Sequence, residues 1–133
     1  MGEKKREITV LIADDDEGYR FPLVSILSDF NYKVLEAENV EDVNKQAKLA
    51  NFWVVDVRLP SSNLEGIEIV RELSIKHCKP NYDVIFISVL SEEDCKPKLD
   101  NFPLKYIWIE KPFEPEYLLH TIDEITGRKK NES

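Results

Sequence analysis

The run Phe52–Val57 (Phe-Trp-Val-Val-Asp-Val) sets one carboxylate inside an otherwise unbroken apolar, β-branched stretch, and it constrains the fold more than any other feature. A strand with one wet face alternates apolar and polar residues; one without alternation is covered on both faces, like a central strand of a parallel sheet. Ile8–Ala13, Val84–Ser88 and Tyr106–Ile109 share this character, and Lys33–Ala37 reads as a shorter strand. Helix-period segments lie between them. Phe21, Val24, Leu27 and Phe30 give one face of a first helix, and Val40, Val43, Ala47 and Ala50 one face of a second. Ile67, Val70, Leu73 and His77 give a third; Leu118, Ile122 and Ile125 give a last one, closed by Gly127 as C-cap. If the first helix starts at Asp16, Pro22 removes a donor and crowds the carbonyl of Gly18, which predicts a kink or a late start. Segment 91–103 carries Pro97 and Pro103 with little periodicity, which predicts a short or irregular helix.

Five strands alternating with helices predict right-handed crossovers and an α/β three-layer sandwich. A length of 133 residues fits one such domain, expected over 8–127, between a polar segment 1–7 and a frayed polar tail 128–133. The formal charge of −8 argues against direct nucleic-acid contact, since phosphate backbones select basic faces. Cys78 and Cys95 lack CxxC spacing and read as reduced thiols. The apolar run after the charged N-terminus is too short for a signal peptide or a membrane span, so a cytoplasmic protein without membrane insertion is expected.

In an open parallel sheet, ligands bind beyond the carboxyl ends of the strands, where strand order reverses. The first strand ends in Asp14-Asp15-Asp16, the third in Asp56, the fourth in Ser88 and the fifth in Lys111. Singly, each has a plain structural use: a helix cap, a turn, a satisfied strand end, a solvated loop residue. Together they make a different statement. Two carboxylates about 4 Å apart repel by about 4 kcal/mol at an effective dielectric near 20, and one ammonium does not offset several of them. A hard divalent cation with oxygen ligands does, and Mg²⁺ typically takes one or two carboxylates plus phosphate oxygens.

The stretches Val-Leu-Ile-Ala-Asp-Asp-Asp (10–16), Val-Val-Asp-Val-Arg-Leu-Pro (54–60), Ile-Phe-Ile-Ser (85–88) and Glu-Lys-Pro-Phe (110–113) resemble, in order and spacing, the receiver domain of two-component response regulators. The resemblance covers nearly the whole chain. It implies a flavodoxin-like fold, a five-stranded parallel sheet in the order 2-1-3-4-5 with helices on both faces. It makes Asp56 the phosphoacceptor and Asp15 the direct Mg²⁺ ligand, with Asp14 acting through water and Arg58 offering its backbone carbonyl. Asp16 falls where the family varies and reads as a helix cap. Ser88 would bond a phosphoryl oxygen and Lys111 would pair with it, across a cis bond to Pro112. Trp108 stands at the family's mobile aromatic and would follow Ser88 in a switch. The implied partners are a histidine kinase or phosphotransfer protein as donor and a downstream protein target; neither that target nor an oligomeric state is written in these residues.

The pattern also departs from the family. Pro60–Gly66 is two positions longer than usual, next to Asp56, which reads first as a tolerated surface insertion and otherwise as a partial lid or a partner contact. Val89 follows Ser88 where a smaller residue is common and would narrow access to Asp56. Arg58 and Leu90 stand where the family tunes phosphoryl lifetime, and neither readily positions water, so slow self-dephosphorylation is expected. The Gly-Ala dipeptide often found before the fifth strand is missing. These oddities leave open a receiver-like module that docks without switching. An aspartyl-phosphate hydrolase of the haloacid dehalogenase kind would need an Asp two residues after the nucleophile, where Arg58 stands, and no P-loop occurs. His77 and His120 lie in helical patterns and read as structural or solvent-facing. No enzyme activity is expected beyond self-phosphotransfer and slow self-dephosphorylation.

Overall fold

Five parallel strands, β1 (Thr9–Ala13), β2 (Lys33–Ala37), β3 (Phe52–Asp56), β4 (Val84–Ser88) and β5 (Tyr106–Glu110), form one sheet in the order β2-β1-β3-β4-β5. The computed structural model describes residues 7–59, 65–76 and 78–128; residues 60–64 of the expected long loop Pro60–Gly66, His77, and the ends of the N-terminal segment and tail lie outside them. Helices α1 (Glu17–Asp29), α2 (Val40–Gln46), α3 (Glu65–Ile75), α4 (Lys96–Leu99) and α5 (Pro115–Thr126) alternate with the strands, giving the expected flavodoxin-like topology. Strand bounds differ from the expected ones by at most one residue, a matter of fraying ends.

Strand alternation sorts the core into two layers. Val10, Ile12, Phe52, Val54, Ile85, Ile87 and Ile109 pack with Leu23 and Leu27 of α1 and Leu118, Leu119 and Ile122 of α5. Leu11, Ala13, Trp53, Val55, Val84 and Phe86 pack with Val43 of α2, Ile67, Val70 and Leu73 of α3, and Leu99 of α4. Residues of β3 and β4 are buried on both sides, which is why those strands read as unbroken apolar runs. Each fully buried large side chain, Trp53, Phe52 and Phe86 among them, contributes about 2–3 kcal/mol of apolar transfer.

Helix ends follow local chemistry. The Asp16 carboxylate accepts from Gly18 N at 3.0 Å and starts α1, as expected of a cap. Asn39 does the same for α2, accepting from Asp42 N at 2.9 Å. Gly127 closes α5 at φ 77°, a left-handed conformation that a Cβ would strain. Segment 91–103 holds a 3-10 turn, Glu93–Cys95, and the four-residue α4, short as expected.

The inward face of α1 is only partly the expected one: Leu27 is buried and Val24 packs against the core, but Phe21 and Phe30 do not turn inward. Arg20, Leu23 and Leu27 are buried, whereas Phe21 and Phe30 are 53% and 55% exposed. Apolar residues stand on both sides of this helix, so periodicity alone leaves two faces in competition. Contact with α5 selects the Leu23–Leu27 side. Nor does Pro22 delay the helix, which runs unbroken from Glu17. Gly18 and Pro22 both lie on the exposed side, where solvent reaches the carbonyl that Pro22 cannot serve. Among the described residues no helix is long and apolar enough to cross a membrane.

Candidate functional site

Parallel register brings the carboxyl ends of β1, β3 and β5 to one edge, and alternation brings their side chains to one face. Asp14 has the parity of Val10 and Ile12, Asp56 that of Phe52 and Val54, and Lys111 that of Ile107 and Ile109. All three belong to the α1/α5 side. There Lys111 Nζ donates to Asp14 Oδ2 at 2.9 Å and to Asp56 Oδ2 at 3.1 Å. Asp14 is fully buried, Asp56 is 6% exposed, and Asp15 beside them faces solvent. Asp14, Asp15 and Asp56 each offer a carboxylate oxygen, and these oxygens lie within 4.8 Å of one another.

The remaining lone pairs are used to hold the carboxylates in place. Asp56 Oδ1 accepts from Arg58 N at 3.0 Å, and Asp14 Oδ1 from Asp16 N at 3.0 Å. Burial, and then the neighbouring Asp14 charge, push the Asp56 carboxyl up to about 6, against the pull of the Arg58 N–H and Lys111. Burial pulls the Lys111 ammonium down, but its hydrogen bond to Asp14 and the charges of Asp56 and Asp14 outweigh that and raise it. Three carboxylates against one ammonium leave excess negative charge on hard oxygen donors, a donor set that fits a metal ion.

Ser88 and Trp108 fall on the other face, with the parity of Phe86. Ser88 Oγ accepts from Leu90 N at 2.9 Å, and Leu90 O accepts from Trp108 Nε1 at 3.0 Å. One residue, Leu90, therefore ties the strand-end hydroxyl to the indole. Trp108 packs on Phe86 at 5.9 Å between ring centroids and on Tyr106 at 6.4 Å. Val89 is exposed beside this loop. The Lys111–Pro112 bond is cis, and Lys111 N donates to Ser88 O at 2.7 Å, which fixes the β5 end beside β4.

Three supporting residues escaped sequence reasoning. Gly66, near the start of α3, touches the backbone of the site: a Cβ there would stand 2.1 Å from Asp56 O, so no other residue fits without moving β3 or α3. Arg20 is 3% exposed; its Nη1 donates to Asp14 O at 2.6 Å and its Nε to Glu36 at 2.8 Å, pinning the β1 end to β2. Its spacing from Leu23 and Leu27 on one helix face was the available signal. Tyr19 lies beneath Lys111, with the ammonium 4.3 Å from its ring centroid, and nothing in the local sequence marks it.

The chain matches the response regulator receiver domain model over residues 10–123. It is 27% identical over 124 residues to the response regulator RR06 of Streptococcus pneumoniae, covering 91% of this chain and 54% of that protein. It spans about half the length of the curated relatives it matches. Among solved structures it is similar to DrrB of Thermotoga maritima, an OmpR/PhoB homolog (25% identity, TM-score 0.75, 95% of this chain and 55% of that one). Vibrio cholerae CheY4 shares the fold, with a TM-score of 0.77 at 23% identity over 90% of this chain and 99% of that one. With the sheet order, the acidic edge and the family match in agreement, the chain belongs to the response regulator receiver domains, which are signalling switches rather than enzymes in the ordinary sense.

Proposed function

We propose that the protein accepts a phosphoryl group on Asp56 from the phosphohistidine of a histidine kinase or phosphotransfer protein, in a Mg²⁺-dependent reaction, and thereby changes the surface it offers a downstream partner. The observation that carries this reading is the convergence at one sheet edge of Asp14, Asp15 and Asp56, with carboxylate oxygens within 4.8 Å of one another, and of Lys111, hydrogen-bonded to Asp14 and Asp56. An Asp56 oxygen forms a bond to phosphorus while the P–N bond breaks, its electron pair leaving with an imidazole whose other nitrogen carries the proton. The product is an acyl phosphate and neutral imidazole. Asp15 and Asp56, with Asp14 through water and the Arg58 carbonyl, are the residues that would hold Mg²⁺, which when bound supplies neutralising charge to the phosphoryl oxygens.

Lys111 already spans Asp14 and Asp56, and as a mobile point charge it shifts to pair with a phosphoryl oxygen. Ser88 turns its hydroxyl to another phosphoryl oxygen, drawing on Leu90 and through it on Trp108. The cytoplasm is the compartment that suits a phosphohistidine donor and reduced Cys78 and Cys95.

Incubation with Mg²⁺ and a small phosphodonor tests this directly. Wild type should gain the mass of one phosphoryl group and change its Trp fluorescence, and Asp56→Asn should do neither, a loss of more than about a hundredfold. Because Arg58 and Leu90 do not position water, the adduct should outlast donor removal; decay within seconds would contradict that part. No mass gain in wild type would favour the module that docks without switching.

A further inference from the structure

We propose that Tyr19 is a positioning residue for Lys111: its ring face aims the ammonium at the oxygens of Asp14 and Asp56, and so at the incoming phosphoryl group. This rests on the phosphoryl-transfer reading and adds to it a residue on a different element, α1. Three observations converge. Lys111 Nζ sits 4.3 Å above the Tyr19 ring centroid, inside the range in which a ring quadrupole attracts a cation. Two of the three ammonium hydrogens have carboxylate acceptors at 2.9 and 3.1 Å, and the ring covers a further side of the group. Tyr19 is itself held: its hydroxyl accepts from Phe113 N at 3.0 Å, and its ring meets the Phe113 edge at 5.5 Å and 64°. The segment 111–113 is thus clamped on Tyr19 at both ends, side chain at Lys111 and backbone at Phe113.

Lysine carries a flexible four-carbon stem whose freedom must be given up when the ammonium is fixed. A floor under the ammonium removes most alternative directions before the phosphodonor arrives. The reaction on which this acts is formation of the Asp56–phosphorus bond with departure of the donor's leaving group and its electron pair; Lys111 stays protonated throughout. Losing the floor should slow that step while leaving the carboxylates and their affinity for Mg²⁺ in place.

The test uses the whole chain with acetyl phosphate and Mg²⁺, measuring the maximal rate of phosphoryl uptake, and separately Mg²⁺ affinity by Trp fluorescence. Tyr19→Leu should lower the maximal rate by about five- to tenfold with Mg²⁺ affinity within about twofold of wild type. Tyr19→Phe, which keeps the ring face and loses only the hydroxyl, should stay within about twofold. Should Tyr19→Leu not fold, phenylalanines of increasing fluorination at position 19 keep the shape and weaken the quadrupole, and the rate should fall stepwise along that series. A wild-type rate in Tyr19→Leu, an equal loss in Tyr19→Phe, a parallel loss of Mg²⁺ affinity, or a flat fluorination series would each overturn the inference while leaving the phosphoacceptor reading intact. Failure of wild type to take up phosphoryl at all would instead remove that reading and this inference with it.

Discussion

Lys111 and Trp108 belong to one stretch of chain, yet their side chains serve opposite faces of the sheet. On the α1/α5 side, the corner formed by Asp14, Asp56 and Lys111 is held by charge: two ion pairs, near-complete burial, and Arg20 bracing the backbone behind it. On the α3/α4 side, Trp108 belongs to an aromatic cluster with Phe86, Phe102 and Tyr106, held by ring contacts of 5.6–6.4 Å and by single hydrogen bonds at its edge. Charge interactions in a buried corner are strong and change sign when a group is added; ring contacts are weak singly and redistribute at little cost. The difference teaches a division of labour. On the proposed phosphoacceptor reading, the corner registers a new phosphate and the aromatic face re-arranges in response, with Leu90, bonded to both Ser88 and Trp108, as the link between them.

The comparison breaks most readily at Lys111. In Lys111→Met, Asp14 and Asp56 keep their burial and lose the one cation that, among the described residues, bridges them. The variant should lose about 3 kcal/mol of stability without Mg²⁺, as buried pairs do when one partner is removed, and recover much of it when Mg²⁺ is added. Urea unfolding with and without the ion measures this. An unchanged midpoint would show that charge is not what holds the corner.

A smaller effect concerns pH. The Asp56 carboxyl rises from an ordinary 3.8 to about 6 in the fold, so the folded chain retains its proton longer than the unfolded chain does. Stability from this group is therefore fully present below about pH 4 and is lost as pH climbs through about 6. Asp56→Asn has no such loss. Its stability relative to wild type should grow in its favour by on the order of 2 kcal/mol between those limits, and level off above them. A difference that stays flat in matched unfolding curves from pH 4 to 7 would mean that Asp56 is not strained by its surroundings.

The smallest effect belongs to the aromatic face. Trp108→Phe removes the indole bond to Leu90 O and should cost about 1 kcal/mol. The rate of phosphoryl uptake should stay within about twofold, because the corner lies on the other side of the sheet. A tenfold drop in that rate would show the two faces to be one unit, and would sharpen Leu90 from a link into part of the site.

Much of this could be read without coordinates, and for specific reasons. Strands β3 and β4 are unbroken apolar runs because both faces are covered, and Asp56 stands out because it ends such a run at the same sheet edge as Asp14, Asp15 and Lys111. Asp14, Ser88 and Lys111 were legible because a parallel sheet sends all its strand ends to one edge. The inward face of α1 was only partly legible: Leu27 was read inward, but Phe21 and Phe30 compete with Leu23 and Arg20 for the rest of the stripe. Arg20 was missed for a different reason: a charged residue is expected outside unless its partners, here Glu36 and the Asp14 carbonyl, are known.

The sequence by itself determined the alternation of strands and helices, the acidic edge and the residues that meet there, because periodicity and strand-end chemistry are local properties of the chain; the strand order followed only from the resemblance to receiver domains. Tertiary structure decided which face of α1 turns inward, that Tyr19 comes to lie under Lys111, that Gly66 must leave room for the Asp56 backbone, and that Leu90 joins Ser88 to Trp108. Tyr19, Gly66 and the inward face of α1 depend on how elements distant in sequence pack. The Leu90 link depends on how the β4–α4 loop folds back over β5. Distances between such elements are set by the packing of the whole core, and no local pattern records them.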